Sequence, residues 1–368
     1  MRDAGYLVSI ICPTGKGYEK TFEIVENIHI HRHDLPLEAE GAIGYALEYS
    51  AALFWEFALA WKVFFSRGFD AIHACNPPDL IFLVGGFFKL FLGKKFLFDH
   101  HDINPELYEA KFGRRDFFYR LMLRFERLTF KTASVSIATN ESYKRIAIER
   151  GGKHPNEVFV VRSGPKLDRL RLVPPVEALK KGRQYLVGYV GVMGKQEGID
   201  LLLQAASHIV RQMQRNDVHF ALVGGGTSLA KMQQLAEELG IADYVTFTGR
   251  VPDRELLDVL NTADVCVNPD VANEMNDKST MNKIMEYMAL GKPIVQFDLT
   301  EGRFSAQEAS LYARKNDSAH MAELIVELLE DPVRRKQMGE FGRNRVENEL
   351  EWKYEAPKLL AAYDRLFL

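Results

Sequence analysis

Short apolar runs alternate with longer helix-like segments along most of the chain. Runs at residues 7–12, 69–75 and 95–99 predict buried strands. The apolar segments at residues 44–66 and 80–92 predict helices between them. This βα alternation is typical of a parallel, doubly wound sheet with right-handed crossovers.

The alternation stops at residues 162–184, where prolines and charges predict a linker, and then resumes. Further strands are predicted at residues 185–190, 218–223, 245–248, 265–268 and 294–297. We therefore expect an α/β protein with a first domain at residues 1–165 and a second at 184–350. A linker at 166–183 joins them, and a segment at 351–368 follows the second domain.

The chain opens with Met1-Arg2-Asp3-Ala4-Gly5, which is similar to the end of a helix. A doubly wound domain usually begins with a central strand, a glycine-bearing loop and a helix, about 30 residues in all. We therefore expect the first domain to lack its first strand. Either the chain is truncated at its start, or the domain begins one strand late.

Composition excludes several classes of protein. An apolar fraction of 47% and a charged fraction of 26% in 368 residues indicate a globular protein. The net charge of −3 predicts no nucleic-acid partner. We find neither a signal peptide nor roughly 20 uninterrupted apolar residues, so we expect a cytoplasmic protein. Cys12, Cys75 and Cys266 lie in strand-like runs and predict buried free thiols.

Residues 276–295 predict a loop, a helix, a tight turn and a strand. Ser279 or Thr280 can cap the helix, and Gly291 can end it in the left-handed conformation. The predicted apolar stripe of this helix comprises Ile284, Met285, Met288 and Ala289.

The start of the same helix is a candidate phosphate site, because its free N–H groups and positive dipole end attract anions. Lys278 and Lys283 flank this end, and Glu286 can accept hydrogen bonds from sugar hydroxyls. A well-capped helix without any ligand explains the same pattern.

Glycines follow two predicted strands of the second domain. Gly191 and Gly194 follow one strand, and Gly198 precedes a helix, which resembles a dinucleotide fingerprint. That fingerprint also needs an acidic residue at the end of the next strand, where this chain has Gly224-Gly225-Gly226. The glycines therefore predict a different ligand close to the backbone, or tight turns without a ligand.

Asp99-His100-His101-Asp102 ends a predicted strand, where open parallel sheets place ligands. Adjacent histidines point in different directions, and no third metal ligand lies at helical spacing. We therefore expect no metal here. The remaining interpretations are a polar His–Asp pair that faces a ligand and a purely structural pair.

Residues 111–131 form the most basic segment, with seven basic residues and two acidic ones. Arg120, Arg124, Arg127 and Lys131 recur at helical spacing, with aromatic and aliphatic residues beside them. Such a basic amphipathic helix suits an anionic membrane surface. The alternative is a solvated helix that packs on its own domain.

These segments together resemble a known family. The segment from Asn276 to Pro293 looks like the donor-binding segment of family 4 retaining glycosyltransferases. Asp99-His100-His101-Asp102 with Pro105-Glu106-Leu107-Tyr108, and also residues 301–306, are similar to the N-acetyl-L-fucosamine-transferase-like branch, which builds bacterial O-antigen and capsule.

The resemblance implies a GT-B fold, with two Rossmann-like domains that face a cleft. The first domain would bind the acceptor and the second the nucleotide-sugar, with neither metal nor cofactor. The final helix would return to the first domain.

The resemblance also implies the roles of individual residues. Glu286 matches the glutamate that holds the donor ribose, and His101 matches a histidine near the transferred sugar. We assign catalysis to His101, Asp102 and Lys283. Donor binding is assigned to Gly191, Lys195, Gly224, Arg250, Val251, Lys278, Ser279, Thr280, Met281 and Glu286.

The chain departs from the family pattern at the diphosphate. Val192 and Glu197 occupy positions where many members carry an arginine and a lysine, and Lys278 stands where a glutamate is common. Lys195, Lys278 or Lys283 would therefore have to supply the missing positive charge.

The expected function is retaining transfer of a sugar from a nucleotide, UDP being expected, to a lipid-linked or saccharide acceptor. The expected place is the inner face of the plasma membrane. Two alternatives stay open: a nucleotide-sugar epimerase of the same architecture, and a non-catalytic membrane-attached protein that binds nucleotide-sugars.

Overall fold

The computed structural model describes residues 1–15, 17–35 and 41–368, with side chains from residue 47 onward in the last range. It divides into two compact units. The first unit comprises Met1–Glu109, Arg114–Val161 and Pro357–Leu368. The second comprises Ala110–Gly113 and Arg162–Ala356.

The first unit contains two separate sheets. Its strands are β1 (Ser9–Pro13), β2 (Phe22–Val25), β3 (Ile28–His33), β4 (Ala71–Cys75), β5 (Lys95–His100), β6 (Val135–Ala138) and β7 (Val158–Val160). One sheet has the order β1-β3-β2, and the other is parallel with the order β4-β5-β6-β7. The helices are α1 (Gly41–Ser66), α2 (Phe82–Leu92), α3 (Asn104–Phe112), α4 (Phe117–Thr132) and α5 (Glu141–Glu149).

The antiparallel hairpin β2–β3 was not predicted from the sequence. Glu26 and Asn27 connect the two strands with positive φ angles of 49° and 64°, as in a two-residue hairpin turn. β3 lies between β1 and β2 and is therefore the central strand of this sheet.

The second unit is one parallel sheet with helices around it, as the alternation predicted. Its strands are β8 (Tyr185–Val190), β9 (Val218–Val223), β10 (Val245–Gly249), β11 (Val265–Asn268), β12 (Ile294–Phe297) and β13 (Ser310–Ala313). They are ordered β10-β9-β8-β11-β12-β13, so the first strand is central. The helices are α6 (Ile199–Ser207), α7 (Leu229–Glu238), α8 (Asp253–Thr262), α9 (Glu274–Lys278), α10 (Asn282–Ala289), α11 (Thr300–Ala306), α12 (Ser318–Glu330) and α13 (Pro332–Arg345).

The two units differ at the centre of their sheets. In the second unit β8 lies between β9 and β11, and Leu186 and Val187 are fully buried. In the first unit β1 pairs only with β3, β4 pairs only with β5, and Ile10 of β1 is 39% exposed. Within residues 1–15, 17–35 and 41–368, no strand joins β1 to β4. Among these described residues, the strands of the first unit therefore form two sheets, whereas those of the second unit form one around β8.

Two apolar cores cover the faces of the second sheet. Ile284, Met285, Met288 and Ala289 of α10 are buried in one of them, so the predicted apolar stripe is confirmed. Burying one such side chain contributes roughly 1.5–3 kcal/mol. This packing anchors α10 and thereby fixes its first turn.

The last helix, α14 (Trp352–Phe367), crosses the division between the units, since Pro357–Leu368 belong to the first unit. Among the described residues, no helix has both the length and the apolarity that crossing a bilayer requires. The expectation of buried thiols is confirmed for Cys266 alone, since Cys12 is half-buried and Cys75 is exposed at the end of β4.

Candidate functional site

The first turn of α10 has no side-chain cap. Its N-cap is Met281. The predicted cap, Ser279, instead donates its hydroxyl to the carbonyl of Met275 at 2.8 Å. The reason is that Asn273 caps the separate short helix α9 by accepting from Asn276 N, so Ser279 falls at the end of α9. Predicting one helix capped at Ser279 or Thr280 was therefore wrong, because the N-cap of α10 is Met281, whose side chain makes no capping hydrogen bond.

Lys283 lies in this first turn beside the loop that follows β8. Its ammonium contacts both carboxylate oxygens of Asp270 at 3.0 Å. Asp270 is only 2% exposed, and burial raises its pKa, while Lys283 acts in the opposite direction. The ammonium also lies 5.1 Å from the ring centre of Tyr189. Asp270 was not predicted, although its position just after β11 was a usable signal.

The glycines bring three strand ends together. A Cβ on Gly224 would lie 1.9 Å from the carbonyl oxygen of Gly191, and φ is +131° there, so this contact requires glycine. Gly224 N donates to the carbonyl of Gly249 at 3.0 Å. A Cβ on Gly191 would lie 3.4 Å from Cε of Lys283. Arg250 follows Gly249 directly and is exposed.

Glu286 faces a pocket of about 290 Å³ between residues 163–170, α8 and α10. Arg169 forms a two-pronged ion pair with Asp253, also on the pocket wall, at 3.0 and 3.1 Å. Burial raises the pKa of Glu286, and Arg169 and Lys283 oppose that rise. Glu286 lines this pocket and belongs to neither the Arg169–Asp253 nor the Lys283–Asp270 ion pair.

The other predicted donor residues lie around the same loops. Lys278 pairs with Glu274 at 2.6 Å, on the exposed side of α9. Lys195 is exposed in the loop before α6, and Val251 packs against the core beside α10. Of the three lysines considered for the diphosphate, Lys283 is the one that the described structure brings beside Gly191.

The structure gives roles to two residues of this region for which the sequence predicted none. The buried Asn276 donates to the carbonyls of Gln196 and Val271, at 2.9 and 2.8 Å, and so ties the loop after β8 to the loop after β11. Glu197 accepts from Gly194 N at 3.1 Å, and burial raises its pKa. No sequence signal distinguishes Asn276 from a surface asparagine.

In the first unit, His101 lies at the end of β5, and its side chain is 44% exposed. Its Nε2 is 3.2 Å from Asp99 Oδ2, and this carboxylate raises the pKa of His101 to about 10. Burial disfavours ionised Asp99, but His101 and His73 hold its pKa well below the usual range. Asp99 therefore favours the protonated form of His101.

The backbone after β5 is held by Asn76. Its Oδ1 accepts from the N–H groups of His101 and Asp102, at 3.0 and 3.2 Å, and its Nδ2 donates to the carbonyl of Asp102 at 2.6 Å. His100 points the other way and is fully buried near Glu126. The two adjacent histidines thus diverge, as the sequence indicated.

The basic segment forms α4, whose outward face is cationic. Arg120, Arg124, Arg127 and Lys131 are exposed. The two acidic residues do not neutralise this row: Asp116 caps α4 by accepting from Phe118 N and Tyr119 N, and Glu126 is buried and bonded to Arg150. Phe117 and Phe118 are 66% and 50% exposed at the start of the helix.

Two family models match the chain. The model described as Glycosyltransferase Family 4 matches residues 1–169, and the one described as Glycosyl transferases group 1 matches residues 184–331. A curated relative, 2-deoxystreptamine glucosyltransferase of Streptomyces kanamyceticus, is 26% identical over 248 residues, which are 64% of this chain and 61% of that protein. The chain spans about half the length of the curated relatives it matches.

Solved glycosyltransferase structures share the fold. Sucrose-phosphate synthase from Thermosynechococcus elongatus matches with a TM-score of 0.81 and 21% identity, over 100% of this chain and 90% of that one. HepE of Anabaena, in complex with UDP and glucose, matches with a TM-score of 0.72 and 16% identity, over 92% of this chain and 86% of that one. At these identities the matches establish the GT-B fold.

Proposed function

We propose, from the premise that the chain belongs to the family 4 glycosyltransferases of GT-B fold, that it is a retaining glycosyltransferase. It takes a sugar from a nucleotide, UDP, and passes it to a lipid-linked or saccharide acceptor in bacterial surface polysaccharide synthesis. The observation that carries the proposal is the ammonium of Lys283, held beside Gly191 by the buried Asp270. HepE, which shares this fold, binds UDP and glucose.

The diphosphate leaving group determines which chemical groups the second unit must supply. When the sugar leaves, negative charge grows on the diphosphate, and preorganised N–H groups and cations stabilise it. We assign this role to the uncapped first turn of α10 and to Lys283. The loss of one such donor typically costs about 3–4 kcal/mol. Since these groups supply the charge, the proposed transfer needs neither a metal nor another cofactor.

Glu286 is assigned to the ribose of the donor, because its carboxylate faces a pocket one turn from Lys283. Lys195, Gly224, Arg250 and Val251 are assigned to the nucleotide around the same strand ends, together with Ser279, Thr280 and Met281 of the segment before α10. Lys278 would have to leave Glu274 to reach a phosphate.

For the first unit we assign His101 to the transferred sugar. As a cation it can donate hydrogen bonds to sugar hydroxyls or phosphate oxygens, while Asp99 fixes its ring. Asp102 follows it on the backbone that Asn76 holds. His101→Ala should therefore slow transfer more than it weakens UDP binding.

Purified protein with radiolabelled UDP-sugars and bacterial lipid extracts tests the proposal. Label that moves into lipid or saccharide supports transfer, with UDP as the second product. An isomerised nucleotide-sugar would instead establish an epimerase. UDP binding without turnover of any donor would establish a binding protein, and either result would overturn the proposal.

We assign α4 to an anionic membrane surface, which would make the protein peripheral on the inner face of the plasma membrane. Its exposed basic row attracts anionic headgroups, and each basic residue contributes about 1 kcal/mol of binding free energy. Phe117 and Phe118 can enter the interface.

Reversing Arg120, Arg124 and Arg127 to glutamate should release the protein from phosphatidylserine vesicles. The control reverses Lys231, Arg254 and Lys336, which are exposed in the second unit. Equal release by both variants would contradict this role.

A further inference from the structure

Four side chains with metal-ligand atoms lie together at the carboxyl ends of β4 and β5. Successive side chains of a strand alternate between faces, so His73 and Cys75 share one face of β4. Asp99 of β5 pairs in register with Cys75, and His101 lies two residues beyond Asp99. The register of two paired strands therefore positions this cluster.

The distances within the cluster suit one small ion. The ligand atoms of His73, Cys75 and Asp99 all lie within 4.8 Å of one another. His73 Nε2 is 3.0 Å from Asp99 Oδ2, and His101 Nε2 is 3.2 Å from the same oxygen. Around a tetrahedral Zn²⁺, with ligand distances of about 2.0–2.3 Å, neighbouring ligand atoms are roughly 3.3–3.7 Å apart. The separations of 3.0 and 3.2 Å are close to this range, and none among His73, Cys75 and Asp99 exceeds 4.8 Å.

A supporting contact already orients the histidine. Tyr363 of α14 contacts Nδ1 of His73 at 2.9 Å, which leaves Nε2 directed at Asp99. Metal-binding histidines usually make such a hydrogen bond with their other ring nitrogen. Cys75 is exposed, so an ion can enter from solvent.

We propose that His73, Cys75 and Asp99 form a Zn²⁺-binding site in the first unit, with His101 available as a fourth ligand. Nitrogen, thiolate and carboxylate ligands together suit Zn²⁺ better than the hard cations Mg²⁺ and Ca²⁺. The bound ion displaces the contact between Asp99 and His101.

Binding is tested first with Co²⁺, which gives visible absorption and a thiolate charge-transfer band in the near ultraviolet when a cysteine coordinates it. We expect both signals in the wild type, and we expect Zn²⁺ to abolish them. Cys75→Ser should remove the charge-transfer band and weaken Zn²⁺ binding by at least about 100-fold. Tyr363→Phe should weaken it by about 10-fold and keep the band. The controls Cys12→Ser and Cys266→Ser should keep both the band and the affinity.

The proposal is overturned if Co²⁺ gives no thiolate band in the wild type, or if Cys75→Ser binds Zn²⁺ as tightly as the wild type. Thermal melts in a chelator verify that each variant is folded. UDP binding is measured on the same samples, so a failed metal site and a failed transferase proposal remain distinguishable.

Discussion

At the scale of single residues, the chemistry proposed for the second unit depends on a buried charge pair. Lys283 and Asp270 contact each other through both carboxylate oxygens, and both side chains are largely buried. A buried pair is weak evidence for stability, but removing one partner leaves an uncompensated charge. We infer that Asp270 is a positioning residue, which holds the ammonium where the diphosphate needs it.

The pair can be dissected by a double-mutant cycle. Asp270→Asn should lower stability by about 3–5 kcal/mol, because Lys283 remains buried without its counterion. Adding Lys283→Met should recover much of that stability, but sugar transfer should stay slow by at least about 100-fold. Urea unfolding and initial rates measure the two effects. Full transfer by the stabilised double variant would remove Lys283 from the site.

Asp79 provides a pH-dependent test. It accepts from Asn104 at 2.6 Å, and burial raises its pKa from 3.8 to about 6. The folded state therefore holds the proton more tightly than the unfolded state. Protonated Asp79 therefore stabilises the folded state by about 3 kcal/mol below pH 3.8. This stabilisation is lost as the pH rises through about 6.

Asp79→Asn should remove this pH dependence, since the amide does not titrate. Urea unfolding between pH 4 and pH 8 measures it, with Asp243→Asn, in the second unit, as the matched control. An identical pH slope in wild type and Asp79→Asn would show that this carboxyl does not titrate in the folded protein near pH 6.

At the scale of elements, the sheets of the two units differ in how their first strands are protected. β8 is paired on both edges, whereas β1 and β4 each pair on one. Open edges leave backbone groups to solvent and lower the free energy of local opening. We expect the amides of β1 and β4 to exchange with deuterium at least about tenfold faster than those of β8.

Hydrogen exchange followed by mass spectrometry measures this difference, with peptides from β5 as an internal control, because β5 is paired on both edges within the same unit. Equal protection of β1 and β5 would mean that the outer edge of β1 is covered in solution.

At the scale of the whole molecule, the two units should respond differently to a nucleotide. Each has its own sheets, so thermal unfolding need not be a single transition. UDP at 100 times its dissociation constant should stabilise the second unit by about 2.7 kcal/mol. For a domain of this size, that raises the melting temperature by roughly 5–10 °C.

Glu286→Gln should lose most of this shift in melting temperature, and Glu255→Gln should keep it. Calorimetry measures both, and an equal shift in Glu286→Gln would remove Glu286 from the nucleotide site.

Much of the fold was predictable, because hydrophobic periodicity depends on local positions. The strands of the second unit and the buried stripe of α10 follow directly from it. The hairpin β2–β3 was missed because β2 is a short strand whose side chains are mostly exposed. The cap of α10 was assigned wrongly because Asn273 starts a separate short helix, a competition between nearby caps that propensity alone does not resolve.

The sequence by itself determined the two α/β domains, the family resemblance and the candidate residues on strand ends and on α10, because these follow from periodicity, motifs and spacing. Only the tertiary structure decided which side chains contact the candidates. It places Asp270 against Lys283 and Asp99 against His101, and it brings His73 and Cys75 beside Asp99. The sequence favoured no metal because it offered no third ligand nearby. The additional ligands come from a neighbouring strand, and strand pairing joins residues 24 or more positions apart, a distance that no local pattern records.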